Sequence, residues 1–148
     1  NPDSGNYNRW AEISEEELGP HFDYNSKSQI TAENIVVLFA NHVVDSTVPE
    51  DYASDGIHAA FATEIQLWGG GPALILRNGQ AYSVEWVRMD SADITFLVDS
   101  DGNSLALHPG KTWFHTTGLG SETANQDGAW IITHKSPYDW GKLILPTE

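Results

Sequence analysis

Residues 73–86, ALILRNGQAYSVEW, contain the clearest turn signal in the chain. Asn78 and Gly79 separate two apolar runs, and this dipeptide favours a two-residue type I′ hairpin whose central residues both have positive φ. A turn of fixed length also fixes the register of the two strands. The predicted facing pairs are Leu76–Ala81, Ile75–Tyr82, Leu74–Ser83 and Ala73–Val84.

Both faces of this hairpin carry apolar side chains. The predicted core face holds Ile75 and, on the facing strand, Tyr82, Val84 and Trp86 at alternate positions. Leu74 and Leu76 then point to the opposite face, which something must cover. The cover is either a second sheet or loop of the same domain, or else another subunit or a further domain, so Leu74 and Leu76 are candidate assembly residues.

Other segments also have the patterns of strands rather than helices. The run Ile35–Val44 is continuously apolar and β-branched, which predicts a strand buried on both faces. The other predicted strands are residues 61–68, 94–98 with 105–107 around an Asp101-Gly102 turn, 129–134 and 139–145, the last two joined by a turn at Pro137. The polar residues 117–128 between them are predicted to form a loop.

These patterns predict one mainly β domain over residues 1–148. Antiparallel sheets of hairpins would form a sandwich or a partly open barrel, with at most one or two short helices. A chain of this length buries about 70% of its unfolded surface, which is enough for a single core. Residues 126–148 are expected to add a strand pair to this domain.

The composition restricts the partners and the compartment. Seven Lys and Arg residues oppose 21 acidic residues, giving a net charge of −14, and this charge repels nucleic acids and anionic membrane surfaces. No apolar run is long enough to span a bilayer. Cys is absent, which excludes disulfides and thiol catalysis. Together with a first residue other than Met, these features favour an extracellular or cell-surface protein.

The polar cluster Asp99, Asp101 and Asn103 surrounds Gly102 and raises the question of a calcium ion. In a helix-loop-helix calcium site with Gly102 at position six, Leu97 and His108 would occupy the anchor positions that require carboxylates. Turn formation explains the cluster without a metal. We therefore expect no cofactor, and calcium at Asp99, Asp101 and Asn103 is the alternative.

Catalytic motifs are missing, whereas aromatic residues are abundant. Ser121 lacks the strand-turn-helix setting of a hydrolase nucleophile, and no two of the six His residues have zinc-protease spacing. His115 and His134 could meet across strands, which keeps an acid-base or metal site open. Flat aromatic side chains stack on sugar rings, and three of the six Trp residues are the surface candidates for ligand binding: Trp10, Trp68 and Trp140.

Several landmarks in order resemble the C-terminal domain of the YerB-like putative bacterial lipoproteins, a family of unknown function. They are Tyr7-x-Arg9, His21-x-Asp23, Asn34 before Ile35-Val36-Val37, the Asn78-Gly79 hairpin leading to Trp86-x-Arg88, and Asp101-Gly102 before Leu107-x-Pro109-Gly110-Lys111-Thr112-Trp113. The resemblance covers residues 7–114 and implies a β-rich domain of an envelope or exported protein. It supplies no catalytic residues.

The function expected from these features is that of a noncatalytic structural or assembly domain of the bacterial exterior. It would associate with itself or with another envelope domain, for instance by adding a terminal strand to a neighbouring sheet and burying Ile131 or Leu143. The alternatives are a module that binds cell-wall glycan and a hydrolase.

Overall fold

The computed structural model describes residues 5–52 and 59–135. These residues form strands, turns and bends, and they contain no helix, which confirms the mainly β prediction. The strands are β1 (Tyr7–Asn8), β2 (Trp10–Ser14), β3 (Glu17–Pro20), β4 (Thr31–Ala32), β5 (Asn34–Tyr52), β6 (Ala59–Gln66), β7 (Gly69–Arg77), β8 (Gln80–Arg88), β9 (Phe96–Val98), β10 (Thr112–Gly118), β11 (Glu122–Gln126) and β12 (Ala129–Thr133).

A central sheet in the order β10-β5-β7-β8-β9 organises the fold. Most neighbouring strands are antiparallel, but β10 runs parallel to β5, with Thr112 beside Asn34 and Gly118 beside Ala40. β1 pairs with β4 and β2 with β3, and both pairs lie outside the central sheet. The sheets leave the structure open rather than closed into a barrel.

The β7–β8 hairpin confirms the predicted turn and register. Asn78 has φ of 52° and Gly79 of 72°, as a type I′ turn requires. All four predicted pairs occur, from Leu76–Ala81 to Ala73–Val84.

The first face of the central sheet carries the main core. Ile75 is completely buried and Trp86 is 2% exposed, and the Trp86 indole N–H donates a 2.9 Å hydrogen bond to the carbonyl oxygen of Phe39. The residues after β9 fold over this face. The buried members of the cluster are Val36, Leu38, Ala40, Ala73, Ile75, Val84, Trp86 and Leu97, and Leu67, Tyr82, Leu105 and Leu107 pack against them.

Asn34 ties the segment before β10 to the start of β5. Its side chain is fully buried, and its Nδ2 donates to the His108 carbonyl oxygen at 3.0 Å and to Thr112 Oγ1 at 3.2 Å. The backbone N–H of His108 donates back to Asn34 Oδ1 at 2.9 Å. The amide group is therefore fully used, as a buried polar side chain requires.

The second face of the sheet is covered by other parts of the same chain. Near its β4 end, Ile35 and Trp113 border a small cavity that Tyr7 and Arg9 also line, and the Arg9 guanidinium lies 4.1 Å from the centre of a Trp113 ring. Leu74 on this face is 4% exposed. Its burial corresponds to the first of the two predicted kinds of cover.

β5 continues beyond the central sheet. Residues 41–52 pair with β6 and form a two-stranded extension, which we call the ribbon (residues 41–52 and 59–66). The prediction of a strand buried on both faces applies to the residues in the sheet, but Val43 on the ribbon is 38% exposed. The difference arises because β10 ends at Gly118, beside Ala40, and does not accompany β5 further.

The segment predicted as a polar loop after β10 contains a strand. β11 pairs with β12 across a turn in which Asp127 and Gly128 have φ of 51° and 84°. The Asp-Gly type I′ turn pairs these residues in spite of their polarity, because every residue of β11 is exposed and its polar side chains stay in contact with solvent. Strand β12 falls within the predicted run 129–134, whereas the predicted run 139–145 lies outside the described residues.

Candidate functional site

A cleft of about 400 Å³ lies between the β11–β12 hairpin and the second face of the central sheet. Phe39, Leu74 and Ser83 contribute from the sheet, and the strand register places all three on the same face. Leu119 and Trp130 contribute from beyond β10. We call this space the hairpin cleft; volumes of this size are common for small-ligand sites.

The alternation of β12 directs Trp130 into the cleft. Trp130 faces Asn125 and Ile132 faces Thr123, so these four side chains lie on one face of the hairpin. Trp130 and Thr123 line the cleft, which identifies this face as the one turned to the sheet. Trp130 is still 37% exposed, so part of its ring system is accessible.

Polar contacts anchor the hairpin at its base. His134 Nδ1 and Thr117 Oγ1 share a 2.9 Å hydrogen bond, and Thr117 and Ser121 share one of 2.8 Å between their hydroxyl oxygens. The backbone N–H of Lys135 donates to Ser121 Oγ at 3.0 Å. Because Thr117 is fully buried in the sheet, this network fixes both ends of the hairpin to β10.

Histidine side chains lie next to this anchor, and among the described residues none of them pairs with an acidic side chain. The rings of His42 and His134 have centroids 5.8 Å apart, and His42 Nε2 is buried without a hydrogen bond among the described residues. Burial lowers the pKa of His42, and the charge of His134 lowers it further. Burial also lowers the pKa of His115, with contributions from His134 and Arg9. These shifts favour the neutral forms of His42 and His115.

The anchor lacks the geometry of a nucleophile and its base. A serine nucleophile needs a direct hydrogen bond from its hydroxyl to the base, but His134 bonds to Thr117, which stands between it and Ser121. In the part of the chain that is described, no group of three or more His, Asp or Glu side chains is arranged to hold a metal ion. The hydrogen bonds of Thr117, Ser121 and His134 instead hold the hairpin against β10.

Two of the three candidate ligand-binding Trp residues from the sequence do not line this cleft. Trp10 on β2 is 56% exposed and Trp68 between β6 and β7 is 54% exposed, and neither is among the residues that line it. Trp140 lies outside the described residues. Trp130 was not among the surface candidates from the sequence, although the nearby Asp127-Gly128 turn was a signal for the hairpin that carries it.

The candidate assembly residues differ in accessibility. Leu74 is buried in the single chain and Leu76 is partly buried, whereas Ile131 on the outer face of the hairpin is 42% exposed. Leu143 is not among the described residues.

The loop around Gly102 is held by its own hydrogen bonds. Asp99 Oδ1 accepts from the backbone N–H groups of Asp101 at 3.0 Å and Asn103 at 2.9 Å, and these bonds, first of all those of Asn103, lower the pKa of Asp99. Asn103 Nδ2 is 3.3 Å from both carboxylate oxygens of Asp99. Gly102 has φ of 81°. This network explains the Asp and Asn residues by turn formation, and calcium stays an alternative prediction.

Residues 1–114 match the model of a family described as a protein of unknown function (DUF3048), C-terminal domain. The chain belongs to this family. The match confirms the resemblance to the YerB-like C-terminal domain and includes the sheet residues of the hairpin cleft, whereas Leu119 and Trp130 lie beyond the matched segment.

The DUF3048 C-terminal fold also occurs in a crystal structure of the YerB protein from Bacillus subtilis. This chain and the YerB structure are similar with a TM-score of 0.56 and 23% sequence identity, and the similarity covers 80% of this chain and 34% of the YerB chain. The chain thus spans about a third of the length of that protein, and the similarity shows the fold. None of the curated proteins matches the chain. Over the described ranges, no helix has the length and apolar composition to cross a membrane.

Proposed function

We propose that this chain is a noncatalytic assembly domain of the bacterial cell surface that associates with a second copy of itself through the ribbon. The observation that carries the proposal is the extension of β5 and β6 beyond the central sheet with exposed apolar side chains. Val43, Val48 and Ile65 are 38%, 47% and 39% exposed. The acidic, Cys-free composition supports the extracellular location.

A ribbon of two strands gains little stability by itself. Isolated hairpins are marginal in water, because three strands or a packed face are needed to bury enough apolar surface. Among the described residues, only β6 pairs with residues 41–52 of β5, and no second strand in this part of the chain pairs with their other backbone edge. Strand addition from a second copy would pair with this edge and lie next to Val43 on β5. Ile65 lies on β6 and on the opposite face of the ribbon, so the second copy would also have to pack on that face to cover it.

The charge of the ribbon determines how salt affects this association. Asp45, Glu50 and Glu64 lie on it, and residues 41–66 contain no Lys or Arg. Two ribbons therefore repel each other at low salt, and screening over about 8 Å at physiological ionic strength weakens the repulsion. We expect self-association to increase as salt is added, the opposite of the behaviour of an oppositely charged pair.

Sedimentation velocity across a concentration series, at low and at high salt, tests this proposal. The intact chain should form a dimer more readily at high salt, and the double variant Val43→Thr/Ile65→Thr should lower the dimer fraction while keeping strand-favouring residues. Ile94→Thr is the matched control, since Ile94 is 71% exposed and lies outside the ribbon. A monomeric mass at every concentration and salt level would contradict the proposal.

Sedimentation velocity also distinguishes assembly through the ribbon from assembly through the terminal strands. Of the two terminal candidates, Ile131 and Leu143, Ile131 is described and exposed, so Ile131→Thr tests assembly through the β11–β12 hairpin. If Ile131→Thr abolishes the dimer and the ribbon variant does not, association uses the terminal hairpin and the ribbon proposal is wrong.

A further inference from the structure

We propose that the hairpin cleft is a binding site for a neutral saccharide, with Trp130 as the stacking surface. This function is independent of the association through the ribbon. It uses a different Trp residue from those that the sequence indicated as surface candidates.

The described lining of the cleft carries no charged side chain. The chain has a net charge of −14, yet every described residue that lines this space is apolar or carries a hydroxyl or indole group. The nearest ion pair in the hairpin, Glu122 with Lys135, is closed on itself at 2.7 Å. A charged ligand would lose its hydration here without gaining a counterion, so the site favours an uncharged ligand.

The cleft combines an aromatic face with hydroxyl groups. Trp130 and Leu119 are 37% and 54% exposed and offer apolar surface at the mouth of the cleft. Ser83 and Thr123 add hydroxyl groups that donate or accept hydrogen bonds. A sugar ring has an apolar C–H face and a rim of hydroxyl groups, so one molecule can use both kinds of surface at the same time.

The cleft is built from the central sheet and from the hairpin. Phe39 and Leu74 form part of its wall from the sheet, whereas Trp130 belongs to a hairpin fixed by hydrogen bonds at its base. These bonds define the Trp130 position while the hairpin is closed, which reduces the ordering cost that a ligand must offset. The volume of about 400 Å³ lies within the range of small-ligand sites.

Titration of the intact chain with neutral and charged oligosaccharides tests the proposal. The probes are N,N′,N″-triacetylchitotriose, maltotriose and cellotriose, with oligogalacturonate as the anionic comparison, and binding is followed by Trp fluorescence and by isothermal calorimetry. We expect saturable binding of at least one neutral probe and no binding of the anionic one. Trp130→Ala should weaken binding about tenfold or more, the loss expected for an aromatic contact of this kind.

Two further variants keep the result interpretable if Trp130→Ala disturbs the hairpin. Thr123→Val removes a hydroxyl from the cleft at nearly constant shape and should weaken binding several-fold with an unchanged circular dichroism spectrum. Trp10→Ala, a substitution of an exposed Trp outside the cleft, should leave binding unchanged. Silence of all neutral probes, or binding that Trp130→Ala and Thr123→Val leave intact, would overturn the assignment. A monomeric chain that still binds would contradict only the assembly proposal.

Discussion

Replacing Asn34 with Ala tests the connection between the core and the segment that leads into β10. Three hydrogen bonds depend on this side chain: two that Nδ2 donates, to His108 and Thr112, and one that Oδ1 accepts from His108. A buried hydrogen bond contributes about 1 kcal/mol net, so the free energy of unfolding should fall by about 3 kcal/mol. Asn34 is fully buried, and water cannot readily replace the lost partners.

Urea unfolding followed by Trp fluorescence measures this loss. With a slope of about 2 kcal/mol per molar urea, the midpoint should move down by about 1.5 M. Asn41→Ala is the matched control, because Asn41 lies on the same strand but makes an exposed 2.9 Å bond to Gln66. The control should change stability by no more than about 0.5 kcal/mol. If Asn34→Ala behaves like the control, the buried amide does not hold the two segments together and the reasoning fails.

Three other outcomes are expected. The pKa values of His42 and His115 lie below the ordinary value of 6.5, so the unfolded chain binds more protons than the folded chain when the pH falls below 6.5. The contribution of these two side chains to stability is therefore complete above pH 6.5 and is lost as the pH falls below it. Urea midpoints at about pH 7.5 and about pH 5.5 should show this fall, and the double variant with Gln at both positions should reduce it. Gly71→Ala would place a Cβ 2.8 Å from a backbone oxygen and an indole nitrogen, and the unfolding free energy should drop by about 1–3 kcal/mol. Gly118→Ala would place a Cβ 2.9 Å from the Lys135 oxygen, so amide exchange should accelerate in β11 and β12 but not in β7 and β8; uniform exchange rates would contradict this.

The sequence predicted those parts of the fold that local residues determine. The register of β7 and β8 followed from Asn78 and Gly79, since a two-residue turn leaves one way to pair the strands. The turn at Gly102 also followed from turn chemistry, but residues 105–107, predicted as the second strand of this hairpin, do not form a strand. Only an isolated bridge joins Ser104 to Val98, and the backbone N–H of Leu105 donates to the carbonyl oxygen of Leu97. The strand β11 was missed because polar composition was given more weight than the Asp127-Gly128 turn, which has the same physical meaning as the turn at residue 78.

The hairpin cleft could not be predicted from the order of apolar and polar residues, because it depends on contacts between residues that are far apart in the sequence. The parallel pairing of β10 with β5 joins residues nearly 80 positions apart, and no local signal specifies it. The position of Trp130 then depends on that pairing, because the hairpin follows β10 directly and is fixed to it through Thr117. Fold class was accessible from periodicity, whereas the site required the tertiary arrangement.

The long strand β5 gives the two proposed functions a common support while keeping them separable. Its first part lies in the centre of the sheet, where Val36 is fully buried and Phe39 reaches the hairpin cleft. Its second part forms the ribbon, where Val43 is exposed. Because the buried part is stabilised by β7 and β10 on its two sides, substitutions on the ribbon should weaken association without unfolding the domain.

The β11–β12 hairpin depends more on hydrogen bonds and less on apolar burial than the central sheet does. Its outer face, including Ile131, is exposed, and hydrogen bonds at its base fix it to β10. A unit with little buried apolar surface opens more easily than the core. A ligand that binds only the closed arrangement would stabilise the hairpin by mass action. The saccharide should therefore protect the amides of β11 and β12 selectively, and this coupling follows from the construction of the cleft rather than from the strength of any single contact.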